Sequence, residues 1–238
     1  MIKISTQGEA LLGRKLNEIE KRQLPFATAV ALNRTAQDVK AAEVKAMKAD
    51  FDRPTRFTLN SLFIKPAKKS RLEAVVWVKD YASKAAAPTA WLLPEVMGGN
   101  RKAKRSESLL SAKGILPSGK ALVPGKGAKL DGHGNVSRGF MQKILSGLGA
   151  QGDRHANSTD SKRSVGNQQR FFVLGKGATA IGIAERTGKT SISMLLAFGK
   201  TPSYGSLLDF YGIANRVIGS ELPRHGREAM NEAVLSAK

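Results

Sequence analysis

The chain has no cysteine, so it holds no disulfide, no thiolate metal site and no cysteine nucleophile. Histidine is scarce too. His133, His155 and His225 are far apart, each in a polar, glycine-containing context, and read as surface residues rather than catalytic groups or metal ligands. Long apolar runs are also missing: no stretch approaches the ~18 apolar residues of a membrane span, and charges fall in every turn of residues 1–20. Neither a signal peptide nor a membrane partner is expected, and the composition fits a soluble product of a reducing cytoplasm. Acidic residues are few, 19 Asp and Glu against 39 Lys and Arg, and they stand singly. With no carboxylate pair, no Gly-x-Ser-x-Gly elbow, and His133 and Asp131 in a glycine-rich loop without a rigid scaffold, neither an enzyme nor a cofactor is expected.

One stretch comes close to a catalytic motif. GIAERTGKTS invites comparison with the phosphate-binding loop, but five residues separate Gly182 from Gly188, one more than the pattern allows. The sequence that follows, SISMLLAF, is strand-like, where a phosphate loop requires a helix. Gly188 and Lys189 are therefore predicted to form a hairpin turn.

What the chain does have is positive charge, and that charge is concentrated. The net charge is +20, and residues 101–170 hold 14 Lys and Arg against 4 Asp and Glu, a balance of +10. Glycine, serine and asparagine stud the same stretch. It reads as a basic, partly flexible insertion, and such an excess points to a polyanionic partner or to an electropositive surface facing one.

The 41% apolar content across 238 residues is enough for a core. Leu and Ile at helical spacing predict a helix from Gly8 to about Arg22, and a second is expected after Leu24 with Pro25 in its first turn. The second helix is alanine-rich, with Phe26, Val30, Ala36, Val39 and Met47 available to face a partner. RFTLNSLFIKPA and RLEAVVWVKDY read as a hairpin, residues 83–99 as irregular, and RKAKRSESLLSAKG as a helix stopped by Gly114. LPSGKALVPGKGAKLDGHGN reads as nearly pure loop, VSRGFMQKILSGL as a helix capped by Asn135 or Ser137, and residues 151–169 as flexible. Three apolar runs from Arg170 to Gly199 read as an antiparallel meander, and the remainder as a helix kinked or divided at Pro223. The expected fold is α+β: N-terminal helices, an antiparallel sheet of about five strands, a long basic insertion and C-terminal helices. Residues 1–100 and 171–238 would form one discontinuous core domain, interrupted by residues 101–170.

Ala31-Leu32-Asn33-Arg34-Thr35-Ala36 lies in an alanine-rich helix that resembles the start of the minor tail protein Z and tail-completion families of tailed bacteriophages. Leu92 to Arg101, leading into a basic helix, and Asp131 to Ser137, opening a short one, are similar to segments of the same group. So is Asp209-Phe210-Tyr211 before the last helix. The resemblance implies a virion component of the tail end or neck, made in the bacterial host cytoplasm, which acts as one subunit of a homo-oligomeric ring. Its implied partners are other neck and tail proteins such as portal, adaptor or tail tube, with double-stranded DNA in the channel. It implies no catalytic residue.

The candidate contacts with DNA or neighbouring subunits are Arg101, Lys102, Lys104, Arg105, Lys126, Lys129, Arg138, Arg154, Lys162 and Arg163. A solvated basic surface is the plain alternative for these residues. Trp91 is the candidate interface anchor, or else a plug at the edge of a core. A nucleic-acid-binding accessory protein acting through residues 101–170 is the rival function.

Overall fold

The computed structural model describes residues 23–83 and 85–236. The helix expected before Arg22 lies outside them. The fold is α+β, with a helix near each end of the described chain and antiparallel sheets between. The described residues form two compact units, residues 23–82 with 208–236, and residues 83 and 85–207. The second unit is an insertion in the first, and it is longer than the expected one. It takes in both the basic segment and the meander, so boundaries near 100 and 170 do not separate compact bodies.

The first unit begins with helix α1 (Leu24–Asp50), whose Pro25 occupies the first turn. Its buried residues recur near helical spacing: Ala27, Ala31, Thr35, Val39, Glu43 and Met47. Of the five residues expected to face a partner, Ala36, Val39 and Met47 are buried and Val30 is half-buried. Phe26 departs from that expectation. It is 43% exposed, with the Lys69 ammonium 4.9 Å from its ring centroid.

A one-turn helix α2 (Arg56–Leu59) follows, N-capped by the Thr55 hydroxyl, which accepts the Thr58 N–H. The hairpin β1 (Leu62–Lys65) and β2 (Val75–Val78) comes next. Its strands are shorter than the apolar runs suggested, because the Thr55 cap draws residues 56–59 into a helix. Leu72, outside the strand, is exposed.

The second unit opens with α3 (Thr89–Met97), in the segment expected to be irregular. Pro94 cannot donate to the carbonyl one turn back, yet the helix continues, with Leu92 and Val96 buried on either side of the proline. The strand β3 (Gly99–Asn100) leads to α4 (Arg105–Ala112), which ends where Gly114 adopts φ +70°, the left-handed conformation that glycine allows at a helix C-terminus. The strand β4 (Lys120–Pro124) lies inside the stretch read as loop. Helix α5 (Arg138–Gly147) is capped by Ser137, whose Oγ accepts the Phe140 N–H. Then come α6 (Val165–Arg170), β5 (Phe171–Leu174), β6 (Gly182–Arg186), β7 (Ile192–Lys200) and β8 (Ser203–Tyr204).

The meander is present as expected, but β4 joins it to give the order β4-β7-β6-β5. The β1–β2 hairpin is a separate two-stranded sheet, and β3 pairs with β8, so among the described residues no single sheet of five strands forms. Residues 187–191 join antiparallel β6 and β7, which places Gly188 and Lys189 in the predicted turn and rules out the phosphate-loop geometry. The core of this unit packs Leu110 from α4 and Phe140, Ile144 and Leu145 from α5 with Phe171, Ile183, Leu195, Leu196 and Phe198 from the sheet. Full burial of each such side chain stabilises the unit by about 1.5–3 kcal/mol.

The chain then returns to the first unit as α7 (Phe210–Ser236), a single helix that runs through Pro223. It packs on α1 along Ala27, Ala31, Ala229 and Ala233, small residues that let two helix backbones approach closely. Asp209 caps it, accepting the Gly212 N–H at 3.1 Å.

Candidate functional site

The ten basic candidates separate into three groups. Arg101 stands apart from the rest because its side chain is only 8% exposed. Its guanidinium makes a bidentate pair with Glu107, Nη1 to Oε2 at 2.8 Å and Nη2 to Oε1 at 2.6 Å. Glu107 also accepts the backbone N–H of Lys104 at 2.6 Å and of Leu122 at 3.0 Å. Burial alone would raise the Glu107 pKa. The Arg101 bonds and the two backbone N–H groups outweigh it and hold that pKa at about 2. Arg101 is thus a tie between the segment before α4, α4 itself and β4, not a free contact for DNA.

Lys104, Arg105 and Arg138 are brought together around a cleft of about 670 Å3. Lys104 and Arg105 stand at the N-terminus of α4 and Arg138 at that of α5, so the positive ends of two helix dipoles meet the same space. Leu109, Leu122, Val136, Met141, Leu145 and Leu196 supply its apolar wall, and among the described residues neither an acidic nor an aromatic one lines it. Lys104 is an exposed residue overall, but loss of water around its ammonium, reinforced by the charge of Arg101, lowers its pKa from the ordinary value.

A compact loop sets the position of Arg138. The Asp131 carboxylate accepts the N–H groups of His133 and Asn135, both at 2.9 Å, and Leu130 bridges Val136 before Ser137 caps α5. The Asp131 to Ser137 segment is therefore structural, and its product is the entry angle of α5.

Lys102, Lys126, Lys129, Arg154, Lys162 and Arg163 are exposed and outside this cleft. Lys129 lies 5.8 Å from the Phe140 ring centroid. Residues 151–169, expected to be flexible, are held by polar contacts. Ser146 Oγ donates to the Ala156 carbonyl at 2.7 Å, and the Asn167 amide donates to Ser158 Oγ at 2.8 Å. Gly147 makes this possible: a Cβ there would lie 2.6 Å from the Asn167 carbonyl oxygen. Trp91, on α3, is half-buried.

Three features of the first unit escaped sequence reasoning. His225 is 7% exposed rather than a surface residue, and its Nε2 lies 2.6 Å from Asp38 Oδ2, which ties α7 to α1. Asp38, Glu221 and His225 bring ligand-type atoms within 4.8 Å of one another. Arg224 already supplies a cation there, paired with Glu221 and Glu228 and 3.9 Å from Asp38. The Ala31–Ala36 motif is a packing node. Asn33 exchanges two hydrogen bonds with the Ala67 backbone, at 3.1 and 2.7 Å, and Arg34 grips Glu232 of α7 at 3.0 and 2.9 Å. Glu43 is fully buried, and neither carboxylate oxygen has a hydrogen-bond partner.

No family model, curated protein or solved structure matches the chain. Fold and site together define an α+β protein whose inserted unit carries exposed cations and a cationic cleft. None of its helices among the described residues is long and apolar enough to cross a membrane.

Proposed function

We propose that this chain is a non-enzymatic structural protein of a bacteriophage virion, a ring subunit of the tail-completion or neck type that joins or closes the tail. The observation that carries the reading is the coincidence of the phage-like segments with structural joints. Asn33 and Arg34 tie α1 to its surroundings, Asp131 to Ser137 sets α5, and Asp209 caps α7. A resemblance located in the residues that build the fold is the kind a shared architecture produces. The exposed cations at Lys102, Lys126, Lys129, Arg154, Lys162 and Arg163 would then face neighbouring subunits, portal, adaptor or tail-tube proteins, or DNA in the channel. Rings are built from repeated heterologous contacts, which such a surface can supply. Trp91 remains the candidate anchor for one of these contacts.

Particles purified from a host carrying this gene test the reading. Mass spectrometry and single-particle imaging are expected to find the chain at the neck or tail end as a closed ring. Particles that lack it, together with a protein that stays monomeric beside its neck and tail partners, would overturn it.

The unpaired cations favour a second reading, a basic nucleic-acid-binding accessory protein acting through residues 101–170. It expects salt-dependent binding of duplex DNA by the monomer, with loss on charge reversal at Lys102, Lys126 and Lys162. Arg101 has no place in that test, because reversing it breaks a buried ion pair.

A further inference from the structure

We infer that the cleft between the first turns of α4 and α5 is a docking site for an acidic peptide segment of a partner protein, one that inserts an apolar side chain between Lys104, Arg105 and Arg138. The proposal holds whether or not the chain belongs to a virion, since it concerns a local binding event.

The volume of about 670 Å3 lies in the range of sites that take a drug-sized ligand, enough for an inserted side chain and its neighbours in a peptide. The chemistry of its lining selects among anions. The three cations favour negative charge, and none of the described lining residues is a carboxylate; the Glu107 carboxylate and the Ser137 hydroxyl already cap the two helices, so the selection rests on the side chains. The wall is aliphatic, with Leu109, Leu122, Val136, Met141 and Leu145 around the space. A DNA duplex is a rigid convex polyanion with nothing apolar to place there. Single strands bind largely by stacking bases on aromatic rings, and no aromatic side chain among the described residues lines the cleft. Inorganic phosphate would leave the apolar wall uncovered. A peptide that alternates carboxylates with leucine or methionine satisfies both parts of the site. The chain carries a net charge of +20, so a different, acidic protein is the complementary source rather than a second copy.

The test uses the intact protein and a short fluorescent peptide of alternating Glu and Leu. Its controls are a peptide of equal charge with Ser in place of Leu, a duplex DNA oligomer and inorganic phosphate. Arg105→Glu with Arg138→Glu reverses the cleft's charge at helix first-turn positions, where a carboxylate suits the dipole, so the fold should survive. Arg154→Glu with Lys162→Glu makes the same charge change outside the cleft.

The Glu-Leu peptide is expected to bind the parent protein and to weaken at least ~10-fold with the cleft variant, but far less with the outer one. It should also outbind the Glu-Ser peptide, and phosphate should not displace it. Equal binding of the two peptides, or equal loss in the two variants, would show charge attraction alone and overturn the proposal. So would DNA binding that depends on the cleft residues while the peptide fails to bind. If the cleft variant melts early, a second measurement decides. The chain has no cysteine, so Gln142→Cys places an environment-sensitive dye at the cleft and Lys162→Cys places one away from it. Peptide is expected to change the emission of the first dye only; an unchanged first dye overturns the proposal.

Discussion

The Arg101 guanidinium closes on the Glu107 carboxylate through two hydrogen bonds of 2.6 and 2.8 Å, and the two side chains are only 8% and 3% exposed. Removing one partner leaves the other charged and buried, which costs about 3–5 kcal/mol. Arg101→Ala and Glu107→Gln should each lower the urea midpoint by a corresponding amount. Arg101→Met combined with Glu107→Gln should lose less than either single change, since it leaves no uncompensated charge and keeps an acceptor for the Lys104 and Leu122 N–H groups. Equal losses in all three would mean that packing volume, not charge pairing, sets the cost.

Arg34 and Glu232 also form a bidentate pair, at 3.0 and 2.9 Å, but their side chains are 36% and 58% exposed. Water screens such a pair and side-chain entropy opposes it. Arg34→Ala should therefore shift the urea midpoint far less than Arg101→Ala does. A loss as large as that of Arg101→Ala, measured in the same urea titrations, would refute the ranking by burial.

Two carboxylates give stability opposite dependences on pH. Glu107 is held at about 2, below the ordinary 4.5, so its contribution is complete above 4.5 and fades as pH falls toward 2. Glu43 runs the other way: burial first, and Asp209 second, push it up to about 8, against a smaller opposing pull from Arg216. Between 4.5 and 8 the unfolded chain releases this proton while the folded chain keeps it, so stability falls as pH rises. Glu43→Leu should flatten that alkaline fall and raise the melting temperature more at pH 8 than at pH 5. A parallel shift at both pH values would disprove the assignment.

The alanine contact between α1 and α7 predicts intolerance of size. Ala31 and Ala229 are 3% and 2% exposed, with no room for a longer side chain unless the helices part. Leucine at either position should destabilise by about 1–3 kcal/mol. Leucine at exposed Ala112 of α4 should be neutral in the same thermal melts.

Lys189 lies in the β6–β7 turn, not at the start of a helix. ATP with magnesium should leave the melting temperature unchanged, and Lys189→Ala should alter neither stability nor any nucleotide response. A shift with ATP that Lys189→Ala abolishes would restore the nucleotide reading.

Local signals were read well where local chemistry decides the outcome. The glycine stop at Gly114, the Ser137 cap, Pro25 in the first turn of α1 and the Gly188-Lys189 turn each follow from the residues themselves. The Glu107 cap was missed because its partner position is Lys104, which cannot accept a hydrogen bond. Only the carboxylate half of the usual reciprocal capping pattern is present. Helix α3 runs on past Pro94 because Leu92 and Val96, on either side of it, are buried, so packing outweighs one missing hydrogen bond, and α7 stays one helix through Pro223, with Leu222 half-buried before it and His225 buried after it. Strand β4 was hidden in a glycine-rich stretch because its pairing partner, β7, lies far along the chain.

Composition and spacing suffice for the excess of positive charge, the absence of cysteine chemistry, the α+β class and most turns. What each charge does depends on the folded chain. Arg101 and Arg105 are four residues apart in the same basic run, yet one is sealed against Glu107 and the other lines an open cleft. Burial and pairing depend on which distant residues arrive as neighbours, and a linear pattern of charge carries no record of that.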